Sequence, residues 1–113
     1  MPRKTTGTAK TPVHVVARHV RIPGDLLTYA QAKGERLGRF DRRVRHVDVV
    51  LGLDGASASV EVVAHAGGRE PHVGRAKAPD GWVAVDLAFG KVEEQVKRNK
   101  ERRVDRRQRR ERA

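Results

Sequence analysis

The spacing of apolar and polar residues changes from segment to segment along this chain, and those changes predict its secondary structure. Val13, Val15 and Ala17 alternate with His14, Val16 and Arg18, the period of two that lets a strand bury one face. The pattern ends near Ile22-Pro23-Gly24. Leu26, Tyr29, Ala30, Lys33 and Leu37 then recur at steps of three and four, which predicts a helix over about residues 24–39 with one apolar face. No Ser, Thr or Asp cap precedes this helix, Gly34 inside it costs about 1 kcal/mol relative to Ala, and Gly38 marks its end.

Beyond it, Val47, Val49, Leu51 and Leu53 alternate with Asp48, Val50 and Gly52, and Asp54-Gly55 predicts a type I′ hairpin. On the returning strand Ala58, Val60, Val62 and Ala64 share one face, and Ser59, Glu61, Val63 and His65 share the other. Asp48 and Glu61 are then expected to face each other across the hairpin. Gly67-Gly68 makes the next turn, and Pro71 to Ala76 reads as a weaker edge strand. Asp80 is a candidate N-cap for a second helix whose apolar stripe runs through Trp82, Val85, Phe89, Val92 and Val96. From Lys97 that helix is polar all round, so its last turns must leave the core, and the Arg-rich run 102–110 is expected to fray. The order predicts a single α+β domain, β-α-β-β-β-α, with a four-stranded mixed sheet and two helices packed on one face. Residues 1–12 form a basic tail expected to be disordered, 13–103 the folded domain and 104–113 an Arg-rich C-terminal tail.

Composition narrows the function. The chain has 113 residues, 25 Lys and Arg against 14 Asp and Glu, and a formal net charge of +11, which points to a polyanionic partner. Without cysteine there is no disulfide, zinc–thiolate site or thiol nucleophile. No apolar run suits a signal peptide or a membrane span, so a soluble, cytoplasmic protein is expected, with no membrane partner. The charge is uneven: residues 44–79 carry four of each sign, whereas 91–113 carry eleven basic and five acidic residues.

Catalytic and metal chemistry find little support in the residue pattern. His14, His19, His46, His65 and His72 are scattered, with no carboxylate at metal-ligand spacing, so no metal site is expected. Ser57 and Ser59 lack the glycines of a nucleophile elbow. The glycine pairs lack nucleotide-loop spacing, so no cofactor and no small-molecule substrate is expected. The chain reads as a non-enzyme.

The second helix is more informative. Lys91, Gln95, Arg98 and Arg102 fall at steps of four, three and four and share a face, flanked by Lys97, Lys100 and Arg103. On the first helix Lys33 and Arg36, followed by Arg39, Arg42 and Arg43, extend the positive surface. With both helices on one face of the sheet, these side chains are expected to form one cationic groove that bridges phosphates and binds in a salt-dependent way. Salt-bridge decoration of a solvated helix, Glu93 with Lys97 and Glu94 with Arg98, is the simpler account, but the surplus of positive charge exceeds what it needs. Aromatic residues are too few for a base-stacking platform, so recognition of RNA backbone and shape is expected.

Ala17-Arg18-His19-Val20-Arg21-Ile22, Val47-Asp48-Val49-Val50-Leu51, and above all Asp80-Gly81-Trp82-Val83-Ala84-Val85-Asp86-Leu87 followed by Lys91-Val92-Glu93-Glu94-Gln95-Val96-Lys97-Arg98-Asn99-Lys100 resemble the ribosome hibernation promoting factors. The ribosome-associated inhibitor and the sigma-factor modulation proteins belong to the same family. The resemblance covers about residues 13–103. It implies a stress-response translation inhibitor that occupies the tRNA and mRNA channel of the small ribosomal subunit. It also implies rRNA-contacting positions at Lys91 and Arg98 with Lys97, Lys100 and Arg102 nearby, and a short form lacking the domain that pairs ribosomes. Glu94, Gly81-Trp82 and Pro23-Gly24 depart from the family's usual residues. The expected rRNA-binding set is therefore Lys33, Arg36, Lys91, Lys97, Arg98, Lys100 and Arg102, with the small subunit and its rRNA as partner and a monomer off the ribosome. A generic double-stranded RNA or DNA binder, and a module that holds an acidic protein, remain the alternatives.

Overall fold

The computed structural model describes residues 11–112, with the side chain of Arg112 excepted. The elements follow in the order β1 (Val13–Ala17), α1 (Gly24–Phe40), β2 (Val44–Asp54), β3 (Ser57–Ala66), β4 (His72–Ala78) and α2 (Gly81–Arg112). The strands form one sheet in sequence order. β1 pairs parallel with β2, and β2 to β3 to β4 is an antiparallel meander. Both helices cover the face on which Val47, Val49, Leu51, Val60, Val62 and Ala64 are buried, as the alternation of these strands predicts.

Particular residues set where each element stops. α1 starts without a side-chain cap; the Pro23 carbonyl accepts from Leu26 and Leu27 N–H at 3.0 and 3.2 Å. α2 has the predicted cap, Asp80 Oδ1 accepting from Trp82 N–H at 2.8 Å. The β2–β3 turn differs from expectation. Asp54 pairs with Ser57, so the loop residues are Gly55 and Ala56, and of these only Gly55 has positive φ, at 63°. A positive first position alone belongs to the II′ pattern, because a type I′ turn needs positive φ at both residues. Leu53, expected on the buried face, is 61% exposed; it lies at the hairpin end, outside the cover of either helix.

At the other end of β2 the register shifts between Val44 and His46, leaving Arg45 as an extra residue. The bulge lets Val44 turn inward, buried like Val47, while Arg45 and His46 both face out. The expected Asp48–Glu61 pairing does not occur. Asp48 stands opposite Val63, and Glu61 stands opposite Val50 and binds Arg75 at 2.6 Å.

The core is built mostly from valine and alanine, with Leu26, Leu37 and Leu51, around one large ring, Phe89, which is fully buried with Val85, Val92 and Val96 on α2. Trp82, expected in that stripe, is 40% exposed. It sits at the seam between the helices, its ring 5.1 Å from that of Tyr29. A core this thin in large side chains needs close backbone approach. A Cβ on Gly74 of β4 would collide with the Ala88 carbonyl oxygen and lie 2.9 Å from Val92 Cγ2. Gly34 does the same for β1, since a Cβ there would lie 2.8 Å from both Val13 methyls. The helix-weakening glycine in α1 is therefore the space that β1 packs into.

The termini also differ from expectation. Pro12 O accepts from Val47 N–H at 3.0 Å, and Thr11 packs on Gly38, so these two residues dock on the domain; the rest of the expected tail, 1–10, lies outside the described residues. α2 does not fray at Arg102 but runs as helix to Arg112, and the molecule measures 55 Å along its longest axis. Replacing Gly74 by alanine should destabilise the fold by about 1–3 kcal/mol, the usual cost of overpacking, because a backbone carbonyl cannot rotate aside. A denaturant midpoint equal to the parent's would show that α2 can shift away from β4 without loss.

Candidate nucleic-acid interface

The lysines and arginines expected to form one groove are distributed by the structure over two flanks of α2. On the flank beside β4, Gln95 reads the strand's outward backbone: its amide NH2 donates to Val73 O at 2.7 Å and its oxygen accepts from Val73 N–H at 3.2 Å. Lys91, one turn earlier, donates from Nζ to Arg75 O at 2.6 Å. Arg98 and Arg102 continue this line, because residues three and four apart share a helix face. Lys91 is thus turned away from α1, whereas the side chain of Arg98 lies 3.9 Å from Glu94 of the α1 groove; the stripe does not form one surface with Lys33, which is held in the helix seam. Sequence spacing identified the common face but not its direction, which was set by the use of Gln95 and Lys91 on β4.

On the flank beside α1 lies a groove of about 290 Å³ lined by Arg36, Phe40, Glu93, Glu94 and Lys97. Its charge is mixed. Beyond this groove Lys100 donates from Nζ to Phe40 O at 2.9 Å and stands 4.7 Å from the Phe40 ring centroid, where a cation also favours the last carbonyls of α1. Lys33 is a seam residue. Its side chain is 18% exposed, and its Nζ pairs with Asp86 at 3.5 Å. Tyr29 O–H donates to the same carboxylate at 2.5 Å, and this bond, more than partial burial, raises the tyrosine pKa above its ordinary value.

Of the seven expected contacts, Lys33, Lys91 and Lys100 are therefore held by intramolecular partners. Arg36, Lys97 and Arg102 have no ion pair among the described residues, and Arg98 has only a loose one, 3.9 Å to Glu94 with both side chains about two-thirds exposed. Pairs of that kind contribute little.

A cluster that the sequence reading did not assemble lies below the end of the sheet. Arg69 of the β3–β4 turn joins Asn99, Arg102, Arg103 and Arg106 of α2 around a polar cleft of about 180 Å³. The spacing 99, 102, 103, 106 is legible in the sequence as one helix face, but the approach of Arg69 depends on the turn. Four arginines lining one cleft concentrate positive charge there and favour an anion held by forked hydrogen bonds.

One of the four is anchored. Arg103 donates from Nη2 to Asp41 Oδ2 at 2.6 Å, where Asp41 is 7% exposed and its other oxygen accepts from Arg43 N–H at 3.0 Å. Arg103 Nε is buried and lacks a partner. This pair ties α2, beyond its last buried valine, to the α1–β2 corner. Sequence spacing puts Arg103 beside the basic stripe, and nothing in the residue pattern marks Asp41 as its partner.

The outer face of the sheet holds a second group that the sequence reading left scattered. His65 Nε2 lies 3.0 Å from Asp48 Oδ2 and His46 Nε2 lies 3.9 Å from the same oxygen. The two imidazoles stack with centroids 4.0 Å apart. Separations of two and seventeen residues gave no ligand spacing; the hairpin register brings the three together.

The profile of the family described as Sigma 54 modulation protein / S30EA ribosomal protein matches residues 13–104. The chain belongs to that family. It is similar to a ribosome hibernation promoting factor from Azotobacter vinelandii, 27% identical over 96 residues, covering 85% of this chain and 89% of that protein. Among solved structures it is similar to the N-terminal domain of Thermus thermophilus Protein Y, with a TM-score of 0.67 and 27% identity over 80% of this chain and 98% of that one. It also shares the fold of a ribosomal subunit interface protein from Coxiella burnetii, with a TM-score of 0.72 and 18% identity over the same shares. Among the described residues no helix is long and apolar enough to cross a membrane.

Two outcomes follow from this geometry. Arg103→Ala should destabilise the chain by about 3 kcal/mol, since it leaves a buried carboxylate without its cation. Asp41→Ala with Arg103→Ala should cost less than the two single losses added, and additivity in that cycle would mean that the pair is not coupled. His72, half-buried at the start of β4, has its pKa lowered from 6.5, chiefly by burial and against the opposing effect of Asp41. The unfolded chain then takes up this proton first as pH falls below about 6.5, so stability drops with acidity there. His72→Gln should flatten that part of the stability–pH curve relative to the parent; parallel curves would contradict the assignment.

Proposed function

We propose that this protein binds the ribosome and silences translation without catalysis, as a cytoplasmic hibernation factor of the stress response. It would be anchored on rRNA of the small subunit and obstruct the channel used by tRNA and mRNA. Family membership over residues 13–104 and the similarity to the ribosome hibernation promoting factor of Azotobacter vinelandii favour the ribosome over other polyanions. The observation that carries the RNA contact is the run of uncompensated cations on solvent-facing α2, from Lys97 and Arg98 through Arg102, joined by Arg69 and Arg106 at the arginine cleft and by Arg36 across the α1 groove. Lys33, Lys91 and Lys100 belong to the expected set as positioning groups: each has an internal partner and reaches phosphate only by releasing it.

Occlusion needs no pocket chemistry. A rigid helical rod of 32 residues, about 48 Å long at 1.5 Å per residue, fills a channel by volume, and its charge releases counterions from the rRNA it lies against.

Cosedimentation with purified small subunits tests the proposal. The protein should travel with them at about 50 mM salt and be released steeply by about 200 mM. Arg98→Glu with Arg102→Glu should weaken binding by about tenfold or more, whereas Lys91→Gln should change it less. A protein that stays in the top fractions at low salt refutes the reading. Equal affinity for free RNA duplexes would favour a generic duplex binder, and partner capture that survives nuclease treatment would favour an acidic protein.

A further inference from the structure

We propose that the outer face of the sheet, opposite the helices, carries a binding site for a zinc-class divalent cation formed by His46, Asp48 and His65, with His14 as fourth ligand. One donor atom from each of His46, Asp48 and His65 lies within 4.8 Å of the others, and tetrahedral zinc at bond lengths of about 2.0–2.1 Å holds its donors roughly 3.3 Å apart. The His65–Asp48 distance is already 3.0 Å and the His46–Asp48 distance 3.9 Å, so the donors lie near that spacing and side-chain rotation that unstacks the two rings closes the set.

Three structural facts place these donors. The cross-strand register sets His46 opposite His65, with Asp48 next along β2 on the same face. The bulge at Arg45 leaves His46 outward while Val44 turns in. His14 of β1 is the direct register partner of Asp48 in the parallel β1–β2 pair and is exposed, which sets it about 5 Å from Asp48, the ordinary spacing of neighbouring strands, on the same face. Donors from two adjacent strands thus meet at one carboxylate, and His14 stands in register beside it on a third.

The arrangement is built for a ligand more than for a hydrogen bond. A single imidazole would satisfy Asp48, yet two bring Nε2 within 3.0 and 3.9 Å of the same oxygen; the rings, stacked 13° from parallel, turn out of that stack to place both lone pairs on one ion. The neighbouring cation does not fill the gap: the Arg45 guanidinium lies over Gly67, where a Cβ would stand 2.9 Å from its Nε. Donor chemistry selects the ion. One carboxylate and neutral imidazoles suit zinc, copper or nickel, whereas magnesium and calcium prefer all-oxygen shells, which a chain of net charge +11 has little means to supply here.

Titration calorimetry of the full chain with zinc chloride alone, in a chelator-free neutral buffer, should give one equivalent of saturable binding. His46→Asn with His65→Asn should weaken it by at least about tenfold, the loss that removal of even an outer partner of a ligand produces. His14→Asn should also weaken it, and an unchanged affinity would remove His14 from the site. His19→Asn with His72→Asn, which leaves the cluster intact, should bind as the parent does. All these side chains are at least partly exposed, and circular dichroism verifies that each variant is folded. Absence of saturable heat in the parent, or equal binding by the His46/His65 variant, overturns the proposal. So does loss of binding in the His19/His72 control.

Discussion

Everything in this molecule depends on how closely α2 lies on the sheet. Its buried side is a short stripe of Val85, Phe89, Val92 and Val96, and only Phe89 among these fills a large volume. The residues that α2 itself buries are otherwise valines and alanines, which have little bulk with which to bridge a gap, so the helix must touch backbone. Gly74 permits that contact. Once α2 is seated, Gln95 and Lys91 reach β4, the groove with α1 takes its width, and the cationic remainder of the helix is aimed outward. The direction in which the arginines point is therefore decided in the core.

The polar seam between the helices works in the same sense. Tyr29, Lys33 and Asp86 join α1 to α2 at one end, and Asp41 with Arg103 joins them at the other. The second pair matters more because it is the better buried and lies past the last buried valine of α2. An all-polar helix has no reason to stay aligned once it leaves the apolar surface. A charged pair near its exit fixes the angle at which it leaves, at the cost of desolvating a carboxylate.

Much of this was legible in the sequence. Period-two runs at 47–53 and 58–64 and the three-four stripe at 82–96 gave the elements, their order and the face they bury, because burial imposes those periods directly. Glu61 and Asp48 show what such periods leave out: alternation says which face a residue takes but not which neighbour it meets, and a register set by Gly55-Ala56 gave Asp48 two histidines instead of a carboxylate. Lys91 shows the same limit on a helix. Its face was correctly grouped with Gln95 and Arg98, but a positive stripe carries no mark that separates a phosphate contact from a backbone contact. Arg69 and Asp41 lie in connections between elements, where no periodicity operates, and their roles exist only in three dimensions.

The use of Gln95 and Lys91 has a consequence for how copies of this chain behave when crowded. β4 is the last strand of the sheet on its side, and an uncovered outer strand invites a foreign strand to continue the ladder. Here both backbone groups of Val73 and the carbonyl of Arg75 are already taken by a helix of the same molecule. The side chains that orient the basic helix thereby also withhold this border from intermolecular β-pairing.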